Sequence, residues 1–330
     1  MKLALPIEIV GTGASVPEQV VTNHDFAKRM DTSDEWIIQR TGIHERRFAS
    51  QQESTLTFAA EAGRRALADA GVTPDQVGLI IAATFTADHT LPALACQVQA
   101  ALGCNRAAAF DLNAACSGFV YAMTMAATHL HNGLADYALI IGAETMSRVT
   151  DMEDRATCVL FGDGAGAAVL RRSADPARGL LAGRLGADGS RAELIWVPAG
   201  GTREPASLRT VNERLHYVRM KGREVYKFAV TQMERLIADT LADAEIETDD
   251  VALFIPHQSN LRIIESAIQK LGIPESRVLI NIQRYGNTSA ASVALALDEA
   301  RRGDRIRAGD RVLIVAFGAG LTWASALLRF

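Results

Sequence analysis

The sequence lacks an excess of basic residues. It has 34 Lys and Arg against 38 Asp and Glu, which gives a formal net charge of −4. This balance gives no reason to expect nucleic acid or an anionic membrane as a partner, although a basic patch on one face is compatible with it. The 330 residues are enough for one large domain, or two ordinary ones, with a sizeable core.

Long apolar runs are also lacking. No stretch of about 18 apolar residues is present, so we expect no transmembrane helix. The N-terminal segment MKLALPIEIVGTG predicts a short first strand and a glycine turn. It has neither the apolar h-region nor the cleavage site of a signal peptide. We therefore expect a cytoplasmic protein.

Cysteine is scarce. The four cysteines are Cys96, Cys104, Cys116 and Cys158, without a C-x-x-C pair or a nearby histidine cluster. This pattern argues against a disulfide framework and against a zinc site, and we expect no bound metal. We expect three of the four to lie in the core, which leaves Cys116 as the candidate reactive thiol.

Apolar runs alternate with helical patterns along the whole chain. The predicted strands are 79–85, 108–111, 137–142, 165–171, 252–256, 278–281, 312–317 and 323–329. The predicted helices are 55–70, 92–102, 116–132, 222–244, 260–271 and 290–302. Strands separated by helices of this length predict β-α-β units in an α/β fold, with sheets covered on both faces.

The two halves of the chain resemble each other. Residues 66–80 (ALADAGVTPDQVGLI) and 240–254 (TLADAEIETDDVALF) are 174 positions apart and share 7 of 15 residues. The same offset places ALIIG at 138–142 over VLIVA at 312–316. Two matches at one offset predict a duplication, with halves at 1–172 and 173–330. Similar β-α-β units that arose independently are the alternative.

Two glycine-containing segments need separate interpretation, and the first of them interrupts the alternation of strands and helices. Residues 173–218 are rich in Gly, Arg and Pro, and we expect surface loops there that cross a substrate channel. Residues 162–168 (GDGAGAA) resemble a phosphate loop only superficially, since no Lys-Ser/Thr follows and a predicted strand comes next. We do not expect nucleotide binding there.

Cys116 lies where a predicted strand turns into a helix. The segment DLNAACSGF places it at the helix N-terminus, where unpaired N–H groups and the helix dipole favour negative charge. We expect a lowered thiol pKa at this position, as in a nucleophile. The neighbouring small residues leave room for a substrate. A small, structural core cysteine is the alternative that the local sequence leaves open.

Two further polar residues lie at chain positions where sites form. His257 follows the predicted strand ALFIP, and active sites gather at the ends of strands in α/β folds. Asn260 is then the expected N-cap of the next helix. Asn287 stands in the turn signal GNTSAAS. A hydrogen-bonded cap histidine and a simple turn are the alternative interpretations of His257 and Asn287.

Taken together, these motifs resemble the β-ketoacyl-acyl carrier protein synthase III family, the thiolase-fold enzymes that initiate type II fatty acid synthesis. The matching segments span nearly the whole chain. They are GTGASVPEQVVTN, DTSDEWIIQRTGI, AACSGF, DRATCVLFGDGAGAAVL, MKGREVYKFAV, PHQSNLRI, GNTSAASVALALDEA and AFGAGLTWASALLRF.

The resemblance implies a thiolase-like fold with two duplicated halves in α-β-α-β-α layers, and a homodimer. It implies that Cys116 carries the acyl group and that His257 and Asn287 complete the catalytic set. The oxyanion hole is implied to be the N–H groups of Cys116 and Gly320. The implied reaction condenses an acyl-CoA starter, acetyl or short-chain, with malonyl-acyl carrier protein and releases carbon dioxide. No cofactor is implied.

The resemblance also implies binding residues. The implied coenzyme A contacts are Trp36, Arg40, Arg155 and Asn260. The implied carrier-protein contacts are Lys227, Gln258, Ser259, Asn260, Leu261, Arg262 and Lys270. A solvated surface charge is the alternative for each Arg and Lys. Leu91 holds a position where Phe is common and which, by the resemblance, lines the acyl pocket of the partner subunit, so the length of the starter acyl chain stays open. Ala319 stands where a third Gly is usual, which need not abolish the oxyanion hole.

Two other functions compete with this interpretation. One is a related acyltransferase or condensing enzyme of secondary metabolism, which would share the cysteine and histidine. The other is a catalytically silent subunit that only binds carrier protein. The GNTSAAS motif favours condensation over simple acyl transfer, and the presence of all three catalytic residue types argues against a silent subunit.

Overall fold

The computed structural model describes residues 5–330. Residues 1–4 of the predicted N-terminal strand lie outside the described part. The strands are β1 (Ile7–Ser15), β2 (Val20–Thr22), β3 (Glu45–Arg47), β4 (Val77–Ala83), β5 (Ala108–Leu112), β6 (Tyr137–Thr145), β7 (Asp163–Arg172), β8 (Gly179–Ala187), β9 (Ile195–Trp196), β10 (Arg219–Met220), β11 (Leu253–Pro256), β12 (Arg311–Gly318) and β13 (Thr322–Arg329).

The helices alternate with these strands. They are α1 (Asn23–Ala27), α2 (Asp34–Thr41), α3 (Thr55–Ala70), α4 (Leu94–Leu102), α5 (Gly118–His131), α6 (Arg155–Cys158), α7 (Leu208–Asn212), α8 (Gly222–Ala244), α9 (Leu261–Lys270), α10 (Ile282–Tyr285) and α11 (Ala291–Arg302). Within residues 5–330, no helix is both long enough and apolar enough to span a membrane.

Two mixed sheets organise the molecule. The first has the strand order β1-β7-β6-β4-β5, with β4 parallel to both neighbours and β7 antiparallel to both of its own. The second has the order β11-β12-β13-β8, with β11 and β12 parallel and the other pairs antiparallel. The predicted α/β class is confirmed.

The helices form three layers around the two sheets. Between the sheets, α5 and α11 share one core with residues from both, such as Ile140 and Ile314. On the outer face of the first sheet, α3 and α4 pack against Ile80 and Leu139. On the outer face of the second sheet, α8 and α9 pack against Leu313. This is the expected α-β-α-β-α layering. The central helix α5 is buried on nearly every side, and accordingly it is apolar around most of its circumference.

The repeat offset recurs in the elements. Helices α3 and α8 end at Ala70 and Ala244, which are 174 positions apart, and β6 and β12 begin at Tyr137 and Arg311, again 174 apart. The first sheet uses residues 7–172 and the second uses residues 179–329. A division into duplicated halves at 172/173 stays a prediction.

Several local predictions were wrong. Residues 173–218 are not all loop, because β8 lies there and pairs with β13 along its whole length. The predicted strand 278–281 makes only an isolated bridge, from Val278 to Phe254. By contrast, residues 163–168 belong to β7 and form no phosphate loop, as expected. Cys104 and Cys158 are buried as expected, but Cys96 is exposed on α4.

The two halves meet closely at Gly142 in β6. A Cβ on this glycine would lie 2.3 Å from the carbonyl oxygen of Ala290, immediately before α11. That distance is far below any real Cβ contact, so only glycine lets the backbone before α11 lie against this strand. The contact brings the C-terminal turn 286–290 to the first sheet.

We expect Gly142→Ala to lower the free energy of unfolding by about 1–3 kcal/mol, since the added methyl group overpacks a backbone contact. The matched control is Gly189→Ala, because a Cβ there meets no atom within 4 Å. The control should change stability by less than about 0.5 kcal/mol. Urea unfolding of both variants measures the difference, and equal stability would refute the close contact.

Candidate active site

Cys116 lies on a sharp turn between β5 and α5. Residues 115–117 form a single 3₁₀ turn that runs directly into the helix. Ala115 has a φ of 46°, a left-handed conformation that non-glycine residues seldom adopt. Cys116 and Ala115 line a cavity of about 840 Å³. The turn therefore places the sulfur at the wall of a large cavity.

His257 and Asn287 line the same cavity. His257 directly follows β11, and Asn287 lies in the turn between α10 and α11. The Asn287 N–H donates to the carbonyl of Leu160 (2.8 Å), which ties this turn to the first half of the chain. The structure thus places at one cavity three residues that the sequence separates widely.

Two serines orient the polar groups. The Ser289 N–H donates to Asn287 Oδ1 (2.9 Å), so the NH₂ of that amide is left to face a ligand. Ser292 Oγ lies 2.5 Å from His257 Nδ1, and the same oxygen accepts the N–H of Gln258 (3.3 Å). A hydroxyl that accepts this N–H is free to give its own proton to Nδ1. This arrangement favours the histidine tautomer with the proton on Nε2.

Burial dominates the protonation of both reactive groups. It lowers the pKa of His257 to about 3 and raises the pKa of Cys116 to about 12. The Ser289 hydroxyl and the N–H of Cys116 act in the opposite direction on the thiol, whereas the nearby Glu144 raises its pKa further. Our expectation of a lowered thiol pKa was therefore wrong for the free protein, because desolvation outweighs the helix dipole. The resting site holds a neutral thiol and a neutral imidazole.

The cavity wall includes an aromatic ring, Trp36, with two guanidinium groups beside it. The Cζ atoms of Arg155 and Arg40 lie 4.9 Å and 5.8 Å from the ring centroid of Trp36. Trp36, Arg40 and Asn260 line the cavity, whereas Arg155 reaches it only through its contact with Trp36. Asn260 caps α9, as expected, and its Nδ2 donates to the carbonyl of Arg40 (3.0 Å).

The predicted carrier-protein contacts have different surroundings in the structure. Ser259, Asn260 and Arg262 line the cavity, and Lys227 is exposed. Leu261 packs against Gly42, where a Cβ would lie only 2.4 Å from that of the leucine. Lys270 is exposed but pairs with Glu234 at 2.8 Å.

Gln258 is not a surface residue. It is 1% exposed, and its side chain donates to the carbonyls of Pro256 (2.7 Å) and Leu279 (3.1 Å). Its Oε1 accepts the N–H groups of Asn281 and Ile282. Carrier-protein contact through Gln258 is therefore corrected to a structural role: its amide holds the loop after β11 against the start of α10.

One other predicted position differs from expectation. Next to Cys116, the cavity is lined by Gly318 and Ala319, and Gly320 is not among its lining residues. A Cβ at Gly318 would lie 2.8 Å from the backbone nitrogen of Cys116, so this strand end packs directly on the nucleophile. Leu91 is 87% exposed and does not line the cavity of its own chain, and its place in the acyl pocket of a partner subunit stays a prediction.

Sequence reasoning missed Ser289 and Glu144. Ser289 accepts a hydrogen bond from the Cys116 thiol (3.5 Å) and donates one to Glu144 (3.2 Å). A signal for Glu144 was available, because a charged residue at the end of the apolar run ALIIGAET is rarely buried without a partner. Nothing local distinguished Ser289 from an ordinary helix cap.

Comparisons with known proteins agree with this geometry. Two models of 3-oxoacyl-(acyl-carrier-protein) synthase III match residues 110–189 and, for the C-terminal part, residues 241–330. A beta-ketoacyl-acyl-carrier-protein synthase III of Symbiobacterium thermophilum is 51% identical over 325 residues, 98% of each chain.

Solved structures show the same fold. The 3-oxoacyl-acyl-carrier-protein synthase III of Aquifex aeolicus has a TM-score of 0.91 at 46% identity, over 98% of this chain and 100% of that one. A priming beta-ketosynthase from a polyketide biosynthetic pathway has a TM-score of 0.91 at 34% identity, over 100% of this chain and 98% of that one. The expected thiolase-like fold is confirmed.

Protonation of His257 should couple to stability. The pKa of His257 falls from 6.5 to about 3 on folding. Below pH 6.5 this imidazole therefore binds a proton in the unfolded chain but not in the folded chain. Stability is therefore lost as the pH falls below 6.5, by up to about 1.4 kcal/mol per pH unit. His257→Gln removes the titrating group and should lose less stability than the wild type. The urea midpoints of the wild type and His257→Gln, measured from neutral to mildly acidic pH, test this difference. If the two midpoints fall in parallel with pH, a buried, neutral imidazole is contradicted.

Proposed function

The chain belongs to the 3-oxoacyl-(acyl-carrier-protein) synthase III family of thiolase-like condensing enzymes, and we propose how the residues of its cavity divide the family's reaction. Its activity is that of an acyltransferase, a β-ketoacyl-acyl carrier protein synthase that initiates fatty acid synthesis. This activity implies acyl-CoA and malonyl-acyl carrier protein as substrates. The single observation that supports our assignment of residues is that Cys116, His257 and Asn287 line one cavity.

The first step is acylation of Cys116. The sulfur, as thiolate, attacks the thioester carbon of a bound acyl-CoA, and coenzyme A leaves as the thiol. Trp36, Arg40 and Arg155 suit the nucleotide end of coenzyme A, because a planar indole stacks on a base and guanidinium groups pair with phosphates. Trp36 and Arg40 line the same cavity of about 840 Å³ as Cys116, which supports one extended substrate that reaches both.

The tetrahedral intermediate needs two donors for its oxyanion. One is the N–H of Cys116. We place the second at Ala319 and not at Gly320, because Ala319 lines the cavity beside the nucleophile. A backbone N–H serves equally from alanine, so the replacement of the usual glycine is no obstacle. One such donor is typically worth about 3 kcal/mol of activation free energy.

The second step is decarboxylation of the malonyl thioester. As the bond to the carboxylate breaks, negative charge develops on the thioester oxygen. His257 Nε2–H and Asn287 Nδ2–H are neutral donors that stabilise this charge without competing for a proton. The resulting carbanion attacks the acyl-Cys116 carbonyl and forms the new carbon–carbon bond. The bond between that carbon and the sulfur then breaks, so Cys116 remains on the enzyme as thiolate and the 3-ketoacyl product remains on the carrier.

The starter acyl chain occupies the apolar part of the cavity. Its lining there includes Phe85, Met146, Val149, Phe161 and Val218, which pack together as one cluster. Such a lining favours a short hydrocarbon chain over a polar or charged acyl group.

The proposed functional unit is a homodimer. Strand β5 lies at the edge of the first sheet, with its outer backbone groups free to pair with a second copy. It exposes Phe110 (44%), and the nearby Leu91 is 87% exposed. Pairing of two β5 strands would cover these side chains and bring Leu91 to the partner's acyl pocket. The dimer is proposed to act in the cytoplasm, on an acidic carrier protein that docks near Arg262 and Lys227.

Substitution of the catalytic residues should separate the two steps. Cys116→Ala should abolish release of coenzyme A from acetyl-CoA but retain slow malonyl decarboxylation, since His257 and Asn287 remain. Asn287→Ala should lose decarboxylation by about 100-fold, because one donor to the developing charge is gone, and should lose acylation much less. Mass spectrometry of the acyl-enzyme and carbon dioxide release measure the steps. Condensation by Cys116→Ala at the wild-type rate, or equal loss of both steps in Asn287→Ala, would refute these roles.

The dimer has its own test. Phe110→Glu places like charges across the proposed β5 pairing and should shift sedimentation velocity from dimer to monomer. The control is Leu208→Glu, because Leu208 is 85% exposed on α7 and belongs to neither β5 nor α4. It should stay dimeric. A wild-type protein that sediments as a monomer would overturn the proposed assembly.

A further inference from the structure

The proposed mechanism leaves one buried carboxyl group beside the nucleophile unused. Glu144 lies near the end of β6 with none of its surface exposed. Its Oε2 accepts hydrogen bonds from the Thr86 N–H (3.1 Å), the Thr84 hydroxyl (3.2 Å), the Phe85 N–H (3.3 Å) and the Thr86 hydroxyl. Its Oε1 accepts one from the Ser289 hydroxyl (3.2 Å). The β4–α4 loop holds one oxygen firmly, and the other faces the active site.

Ser289 connects this carboxyl group to Cys116. The thiol lies 3.5 Å from Ser289 Oγ, which makes a chain of two hydrogen bonds, Cys116 to Ser289 to Glu144. Ser289 has a φ of 50°, a left-handed conformation that costs free energy in a non-glycine residue. The bond from its N–H to Asn287 holds it there. The hydroxyl is therefore fixed between thiol and carboxylate.

We propose that Glu144, acting through Ser289, holds the proton that leaves Cys116 during acylation, an inference that rests on the proposed function. The S–H bond of Cys116 breaks and its proton passes to Ser289 Oγ, while the hydroxyl proton of Ser289 passes to Glu144 Oε1. The thiolate attacks the thioester carbon and the bond to coenzyme A breaks. The proton then returns through Ser289 to the departing coenzyme A thiolate, which restores the carboxylate.

The charges in the site favour transfer of the thiol proton to Glu144 over a Glu144 that stays ionised throughout the reaction. A permanently ionised Glu144 opposes formation of the thiolate, and its charge raises the pKa of Cys116. If the proton moves from thiol to carboxylate, the pair keeps a single negative charge throughout. Burial raises the pKa of Glu144 to about 7, which suits a group that binds and returns a proton near neutral pH. His257 then stays neutral for the decarboxylation step.

Other titratable groups around β6 are engaged elsewhere. On β7, Asp163 accepts hydrogen bonds from Ala49 and Ser147, and on β5, Asp111 accepts the N–H groups that begin α4. His129 and His131 lie in the last turn of α5, away from Cys116. The charged side chains of α3 and α11 form ion pairs, namely Glu61 with Arg64 and Arg65, Asp69 with Arg301, Asp298 with Arg302, and Glu299 with Arg284.

The pH dependence of Cys116 alkylation by iodoacetamide tests the transfer without any substrate. A Cys96→Ser background removes the exposed competing thiol, while Cys104 and Cys158 are buried. The wild-type rate constant should rise up to about pH 7 and then level off, because the ionised carboxylate accepts the thiol proton as the sulfur is alkylated. Glu144→Gln should lose this plateau, because its thiol gives up the proton only to solvent and the rate keeps rising about tenfold per pH unit, and its rate at neutral pH should fall about tenfold.

A carboxylate that only fills space predicts the opposite sign. Removal of its charge in Glu144→Gln would then make the thiol more acidic and speed up alkylation, and such an increase overturns the proposal. Ser289→Ala should also lose the plateau, although it keeps the N–H to Asn287. Thr84→Val, the matched control, removes a hydrogen bond to Oε2 and should retain the plateau.

If Glu144→Gln fails to fold, the wild-type profile alone is the test. A rate that keeps rising about tenfold per pH unit above pH 7, without a plateau, contradicts the transfer. Condensation of acetyl-CoA with malonyl-acyl carrier protein by the wild type tests the proposed function separately. Normal condensation by the wild type, together with faster alkylation in Glu144→Gln, would refute only the inference about Glu144. If the wild type does not catalyse condensation, the proposed function is refuted.

Discussion

The approach of the turn 286–292 to the end of β6 is the contact on which the whole site depends. Gly142 has no side chain, so the backbone at Ala290 can lie against the strand. From that position Ser289 reaches both Cys116 and Asn287, and Ser292 reaches His257. The backbone contact between the two halves therefore positions His257 and Asn287 of the second half relative to Cys116 of the first.

Desolvation is the cost of this arrangement and also the source of its chemistry. The central α-β-α-β-α layers take the thiol and the imidazole out of water, and both become neutral. A neutral imidazole beside a fixed amide suits the stabilisation of charge that appears only in the transition state. The same burial makes the thiolate costly, so its proton needs an acceptor close by, and Glu144 is the buried group linked to it.

Different parts of the cavity lining differ in their access to water. Trp36 has two largely exposed guanidinium groups beside it, and these favour a solvated, anionic part of a substrate. The lining by Phe85, Met146, Val149, Phe161 and Val218 is apolar and packed together. A substrate with a charged nucleotide, a long arm and a short acyl group matches this gradient from water to hydrocarbon.

By itself, the sequence determined the elements with strong local signals. Helices α3 and α8 have the predicted bounds, because amphipathic periodicity and a left-handed C-cap are encoded within the segment. The motifs around Cys116, His257 and Asn287 likewise identified the candidate site. Only the tertiary structure decided that β8 is a strand, since its residues depend on pairing with β13. It also decided that Gln258 is buried and that the thiol pKa rises, because burial and electrostatics arise from residues distant in sequence that packing brings together.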